Sequence, residues 1–426
     1  MRSGEGHRRR LRLAGVLPCL LLVVLLAAPP VASATVQTRI TSILNAYHLG
    51  GYGTGVRVVD IDAGRAVYAR NLTARLRPAS NMKLVTSAAA LARWGPYHVF
   101  KTELYVPRRA PDANGVLHGN IYLKGYGDPS LSTPWYQRHV LHITTSSVTG
   151  FVTALRNLGV TKIAGHVVGD ESYFDAQRSV ANWRPGMTEW CGPLSALSVN
   201  EGYSKGSRVG NPPLFAARTV TRFLEEAGVD VTLGPVARTV SSTAVLAYTE
   251  YSAPLAVIVA AMNKPSDNFF AEELTKGLGR AFGRGGTTVA GTEVSSAFLR
   301  ALGVSASDFR LRDGSGLSYE DRLTARGVSL LLRKAAGSDW SRYYYGSLAI
   351  AGRDGTLEDR MRGTAAQGNL HAKTGTLNVS SCLSGYVTNA SGRLLSFSIL
   401  MNGAPINVYV AHRAQDAIGV ALARSR

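Results

Sequence analysis

Strand-forming stretches stand at the two ends of this chain, with helical segments between them. Near the start, Val56-Arg57-Val58-Val59-Asp60-Ile61-Asp62 and Ala66-Val67-Tyr68 flank the turn Ala63-Gly64-Arg65. Near the end, Leu383-Ser384-Gly385-Tyr386-Val387-Thr388 and Leu394-Leu395-Ser396-Phe397-Ser398-Ile399-Leu400 flank Asn389-Ala390-Ser391-Gly392-Arg393, which reads as a second hairpin. A lone hairpin is at best marginally stable, so the two ends are expected to meet in one antiparallel sheet covered by helices. The closing segment is a helix whose apolar face reads Val410, Ala414, Ala417, Ile418, Ala421 and Leu422. The texture changes between about Phe100 and Tyr248, with short strands such as Ile121-Tyr122-Leu123, loop signals such as Gly127-Asp128-Pro129-Ser130, and a helix from Pro213 to the stop at Gly228. The expected fold class is α/β (α+β), with a body made of residues 35–97 and 252–426 and an inserted region, one domain or two, at 98–251.

Residues 1–34 read as an export leader: five arginines and one glutamate, an apolar run from Leu13 to Ala28 broken by Pro18, then the small-residue pattern Ala32-Ser33-Ala34. Cleavage is expected between Ala34 and Thr35, placing the mature protein outside the cytoplasm. Cys19 leaves with the leader, and Cys191 and Cys382 remain, free or paired. The mature chain carries 42 basic and 27 acidic residues, a net charge of +15. Anionic cell-wall polymers or lipid headgroups suit that charge better than nucleic acid, since no interleaved aromatic and basic run accompanies it. Solvated arginines serving solubility explain it equally well.

The stretch Pro78-Ala79-Ser80-Asn81-Met82-Lys83-Leu84-Val85 opens a helix of buried character. Ser80 and Lys83, at i and i+3, share a face of its first turn. Burial there lowers the lysine pKa, and the helix N-terminus disfavours an ammonium while favouring an anion at serine. Both effects suit a serine nucleophile with a lysine base. Of the nine lysines, only Lys83 has serine three positions before it. Taken alone the pair reads more simply as a core helix with a lysine reaching out to solvent.

Two more motifs follow. Ser266-Asp267-Asn268 precedes an amphipathic helix and by itself reads as a cap; Lys373-Thr374-Gly375-Thr376 precedes the final strands and by itself reads as a turn. In this order, the three form the set of serine enzymes that include penicillin-binding proteins and class A β-lactamases. The chain resembles the exported D-alanyl-D-alanine carboxypeptidases and endopeptidases among the low-molecular-mass class C penicillin-binding proteins, peptidase family S13. The likeness runs through nearly the whole mature chain and includes Gly127-Asp128-Pro129-Ser130, Ser195-Ala196-Leu197-Ser198-Val199-Asn200-Glu201, Asp313-Gly314-Ser315-Gly316-Leu317-Ser318, Ala351-Gly352-Arg353-Asp354-Gly355-Thr356-Leu357 and His371-Ala372-Lys373-Thr374-Gly375-Thr376. Ser80 and Ser266 lie 186 residues apart, room for an entire inserted domain that class A β-lactamases lack. No glutamate between Asn268 and Lys373 has asparagine four residues later, so the deacylating Glu-x-x-x-Asn pattern of those lactamases is missing.

The resemblance implies a penicillin-binding-protein/β-lactamase-like transpeptidase fold. It also implies that Ser80 is acylated by peptidoglycan stem peptides, with Lys83 as base and Ser266 relaying a proton. Asn268, Lys373, Thr374, Gly375 and Thr376 would bind substrate, the two threonines holding the terminal carboxylate, and backbone N–H groups of Ser80 and Thr376 would hold the oxyanion. β-Lactams would be covalent inhibitors, and no metal or other cofactor is required. The nine histidines show no metal-ligand spacing; His371 is expected on the strand face opposite Lys373, without a catalytic part. The Asp313-Gly314-Ser315-Gly316 segment reads as a turn that the resemblance puts near the site. A β-lactamase, or an inactive peptidoglycan-binding protein that keeps the fold, is the rival reading.

Overall fold

The computed structural model describes residues 35–426; the leader expectation concerns residues 1–34 and lies outside the described residues. Its largest sheet has six strands in the order Ala349–Ile350, His371–Leu377, Ser380–Thr388, Leu394–Asn402, Thr54–Asp60 and Arg65–Arg70. Every neighbouring pair is antiparallel, and the junction between the chain ends pairs Val58 with Phe397 and Val56 with Ile399. The sheet expected from the chain ends is thus present.

Both faces of this sheet are covered, which is why Thr54–Asp60 and Leu394–Asn402 are buried almost throughout, Ser396 and Ser398 included. On one side Val56, Val58, Leu383, Phe397 and Ile399 pack with Ile40 and Leu44 of the Val36–Ala46 helix and with Ala411, Ala414, Ile418 and Leu422 of the Val408–Ala423 helix. That last helix is turned slightly from the expected face: Ala411 and Gln415 are buried while Val410 and Ala417 are only partly so. Gln415 tolerates burial because its amide donates to Ser381 Oγ at 3.0 Å and its carbonyl accepts from Arg360 at 3.1 Å. On the other side Cys382, Tyr386 and Leu400 meet a helical layer comprising Met82–Trp94, Leu255–Asn263, Asn268–Phe282 and Ala325–Ala336.

Between Lys101 and Tyr251 the strands form sheets of their own, and none pairs with the six-stranded sheet. Five strands run in the order Val236–Ala237, Val167–Asp170, Ile121–Gly125, Lys101–Pro107, Ala244–Tyr251, beside a smaller three-stranded sheet. Leu104, Leu123, Phe151, Ile163, Val220 and Leu224 make a separate apolar core there, the last two from the helix Pro212–Glu226. That helix starts one residue before the expected Pro213 because Asn211 caps it, accepting the Leu214 N–H at 3.1 Å. Residues 35–426 nevertheless make one compact unit. Cys191 and Cys382 are both buried and free. Among the described residues no helix is long and apolar enough to cross a membrane.

Candidate active site

Ser80 sits on a single 3-10 turn, Ala79–Asn81, that runs straight into the Met82–Trp94 helix. Two glycines allow the turn to be approached closely. A Cβ on Gly316, whose φ is +86°, would fall 1.9 Å from the Ala79 carbonyl oxygen, and one on Gly375 would fall 2.7 Å from the Pro78 oxygen and 3.0 Å from the Ser80 nitrogen. The strand carrying Lys373 therefore lies directly against the serine turn, as only glycine permits.

Lys83 projects from the first turn of the helix and is completely buried. Its Nζ lies 3.0 Å from Ser80 Oγ, 2.6 Å from Asn268 Oδ1 and 2.9 Å from the Ser315 carbonyl oxygen. No carboxylate forms an ion pair with it among the described residues. Burial lowers its pKa to about 8, against the pull of Asp267, Asp313 and Glu272. Two of the three partners can only accept a hydrogen bond. The two hydrogens of a neutral amine satisfy Asn268 and Ser315, leaving the lone pair for the one partner that can donate, the Ser80 hydroxyl. The orientation of the Asn268 amide is fixed independently, because its Nδ2 donates to the Trp190 carbonyl at 2.8 Å.

Asn268 opens the Asn268–Phe282 helix, which Asp267 caps by accepting the Phe270 N–H at 2.8 Å. Ser266, just before it, is half-buried with a left-handed φ of +70°, and its hydroxyl forms no hydrogen bond to a described residue. Lys373 is fully buried and donates to the neighbouring Thr374 carbonyl at 3.1 Å, while its own carbonyl accepts from Asn81 Nδ2 at 2.9 Å. Burial and the charge of Lys83 hold its pKa well below the ordinary lysine value. Lys373 has no ion-pair partner among the described residues, so its charged form favours a negatively charged ligand beside it.

Strand alternation puts Lys373 and Gly375 on the face turned to the serine helix, and Thr374 and Thr376 on the other. Thr374 donates to Thr356 Oγ1 at 2.8 Å, whereas Thr376 is exposed. His371 shares the face of Lys373, not the opposite one, because residues two apart on a strand point the same way. It stacks on Tyr345 with ring centroids 4.1 Å apart.

Ser80, Lys83 and Asn268 are therefore joined by direct contacts, and Gly375 abuts their turn. Two partners of the group went unread in the sequence. The Ser315 carbonyl belongs to the turn noted above, and Glu272 holds it in place by accepting the N–H groups of Gly314 (3.1 Å) and Ser315 (2.8 Å). Burial and the neighbouring Asp313 push Glu272 up to about 8. The Trp190 carbonyl lies within the stretch from Lys101 to Tyr251, whose strands pair only among themselves, and no side-chain pattern announces a backbone oxygen.

Known proteins carry the same arrangement of chain. The Actinomadura sp. (strain R39) D-alanyl-D-alanine carboxypeptidase is 33% identical, the match covering 99% of this chain and 91% of that one. The carboxypeptidase DacB of Mycolicibacterium smegmatis is 28% identical over 82% of this chain and 76% of its own. The fold matches that of penicillin binding protein 4 from Haemophilus influenzae with a TM-score of 0.75, at 21% identity, over 90% of this chain and 99% of that one; the latter protein has also been solved complexed with a β-lactam. The model of the D-Ala-D-Ala carboxypeptidase 3 (S13) family matches residues 36–207 and 201–425, and the chain belongs to that family.

Proposed function

We propose that the protein is a serine D-alanyl-D-alanine carboxypeptidase/endopeptidase that cleaves peptidoglycan stem peptides through an acyl-enzyme and is inhibited covalently by β-lactams. The observation that carries this reading is the Lys83 amine: buried, without a carboxylate partner, held by two acceptors and 3.0 Å from Ser80 Oγ. Such an amine is oriented to take the serine proton.

In the proposed reaction Ser80 Oγ attacks the carbonyl of the penultimate D-alanine as its proton passes to Lys83. The resulting ammonium keeps its bonds to Asn268 Oδ1 and the Ser315 carbonyl. Backbone N–H groups of Ser80 and Thr376 hold the oxyanion. Ser266 relays a proton to the leaving amine, the C–N bond breaks, and D-alanine departs. Lys373 supplies the positive field for the terminal carboxylate, which Thr374 and Thr376 bind directly once Thr374 turns from Thr356. Water then hydrolyses the Ser80 ester. A β-lactam follows the first half of this course, but its leaving group stays tethered and obstructs the water.

We assign residues 35–97 and 252–426 to the catalytic body and 98–251 to an inserted domain, on the grounds that the insert's strands and apolar core are its own. The leader-like start and the +15 charge support a place outside the cytoplasm, among anionic wall polymers. The direct test incubates the mature protein with a peptide ending in D-Ala-D-Ala and measures free D-alanine. Stoichiometric release with time supports the assignment; no release, with β-lactam acylation intact, restricts the protein to endopeptidase action.

A further inference from the structure

Two alternating stretches bring arginines together beside the serine turn. Arg75-Leu76-Arg77 runs directly into Pro78-Ala79-Ser80, and Phe309-Arg310-Leu311-Arg312 runs directly into the Asp313-Gly314-Ser315-Gly316 turn. The Arg322–Leu323 strand pairs with both. Leu323 stands opposite Phe309 and Arg322 opposite Arg310, while Leu76 and Leu323 exchange two backbone hydrogen bonds of 2.9 Å. Residues facing each other across antiparallel strands point to the same side, and neighbours along a strand alternate. Leu76, Leu323 and Phe309 are accordingly buried, which turns Arg75, Arg77, Arg310 and Arg322 together onto the opposite face. Arg312, two residues beyond Arg310, is exposed and extends the row.

Carbonyl oxygens, not carboxylates, hold these four guanidinium groups. Arg77 Nε and Arg322 Nη1 donate to the same Tyr319 oxygen, at 3.0 and 2.7 Å. Arg310 Nε donates to the Glu320 carbonyl at 2.8 Å and Arg75 Nη2 to the Phe309 carbonyl at 3.2 Å. None of the four forms an ion pair among the described residues. The nearby acids are engaged elsewhere: the Glu320 carboxylate with Arg312 at 3.3 Å and Asp308 with Arg326 at 3.0 Å, while the buried Asp313 and Asp321 accept backbone N–H groups. Burial and the charges of Arg77 and Arg310 hold the Arg322 pKa below the ordinary arginine value. Like charges facing each other across strands oppose folding, and an anion laid across them relieves that repulsion.

We propose that this arginine face binds a linear phosphodiester polyanion of the cell wall and lays it alongside the serine turn. The proposal rests on the placement of the protein among anionic wall polymers and gives that partner a site. Residues two apart on a strand are separated by about 7 Å and neighbouring strands by about 5 Å, so the face extends about 7 Å by 10 Å over three strands. That is wider than one small anion spans, and it suits a charge that repeats along a chain. A guanidinium has five N–H donors in a fixed fork, so one that gives a single N–H to a carbonyl keeps others for phosphate oxygens. Arg184, 4.0 Å from the centre of the Tyr319 ring, adds a cation at the border. Because Arg77 precedes Ser80 by three residues, a polymer held here keeps the wall next to the site.

The test titrates the mature protein into end-labelled poly(glycerol phosphate) and follows fluorescence anisotropy over a series of salt concentrations, with thermal unfolding alongside. The double variant Arg75→Gln, Arg310→Gln is compared with Arg108→Gln, Arg109→Gln, which removes the same charge from an exposed stretch after the Lys101–Pro107 strand. The first pair is expected to weaken binding by about tenfold or more and to lower the slope of log Kd against log salt by about 1.4 to 1.8, the share of two lost phosphate contacts. The second pair should change Kd by less than about threefold, since charges beyond a Debye length are screened. Arg75→Lys, Arg310→Lys keeps both charges and should keep the native slope, which separates lost charge from lost structure. No binding by the native protein at physiological salt, equal losses in the two glutamine pairs, or a preference for poly-L-glutamate or single-stranded DNA of the same charge overturns the proposal. Acylation by benzylpenicillin, read on the same native sample, tests the Ser80 assignment separately: polymer binding without acylation supports this face and removes that assignment.

Discussion

The pH dependence of acylation between pH 6 and 9 discriminates between a lysine base and an ordinary lysine nearby. Only the neutral amine can accept the Ser80 proton, so on this limb the rate follows the unprotonated fraction of Lys83. With the pKa at about 8, that fraction is about 10% at pH 7 and about 90% at pH 9, a rise of about tenfold that has bent over by the upper end. A lysine at 10.5, the ordinary value, would be about 0.03% neutral at pH 7 and about 3% at pH 9, a rise of about a hundredfold with no bend. The curvature, not the presence of a rise, carries the information. The assay is stopped-flow acylation by a fluorescent penicillin under pseudo-first-order conditions, at constant ionic strength. The rising limb should bend near pH 8. Lys83→Ala should remove the bend and lower the rate by about 100- to 10,000-fold, the usual contribution of a positioned base. A rate that climbs a full decade per pH unit through pH 9, or one that is flat from pH 6, would refute the argument that burial prepares Lys83 as the base.

Further outcomes follow from other parts of the site. Lys373→Ala removes a buried cation with no protein anion beside it, so kcat/KM for a peptide with a free terminal carboxylate should drop by about 10- to 150-fold, the range of a hydrogen bond to a charged group, and that for its terminal amide much less; equal losses for both would place Lys373 outside carboxylate recognition. Gly316→Ala combines a positive φ with a Cβ 1.9 Å from the Ala79 oxygen, and urea denaturation should show a loss of about 2–4 kcal/mol together with slower acylation; a loss under about 0.5 kcal/mol would mean that the two turns move apart easily. Cys191 and Cys382 are free, so alkylation of the mature chain in denaturant should modify both without prior reduction, and an unmodified pair that reacts only after reduction would contradict the structure.

The parts of the site legible in the sequence are those that side chains write locally. Ser80 and Lys83 share a turn, so their contact follows from helix geometry. Asn268 was legible as a partner of Lys83 only through the family pattern, since 185 residues separate the two. The sheet could be read because each end of the chain offers only a hairpin, which is too small to be stable without further strands. What remained hidden depends on backbone atoms or on burial. Every residue carries a carbonyl like those of Ser315 and Trp190, and only tertiary placement selects these two for the site. Gln415 lies on a buried helix face because Ser381 and Arg360 satisfy it, a compensation no hydrophobic period can register.

The central claim, that Ser80 is a nucleophile capable of forming an acyl-enzyme, is tested most directly by intact mass spectrometry of the mature protein and its Ser80→Ala variant after incubation with benzylpenicillin. The account predicts one covalent adduct on the native protein, persisting long enough to be weighed, and none on the variant. An adduct on both proteins, or on neither while the drug remains intact, would contradict it; disappearance of the drug with no adduct would make the protein a β-lactamase.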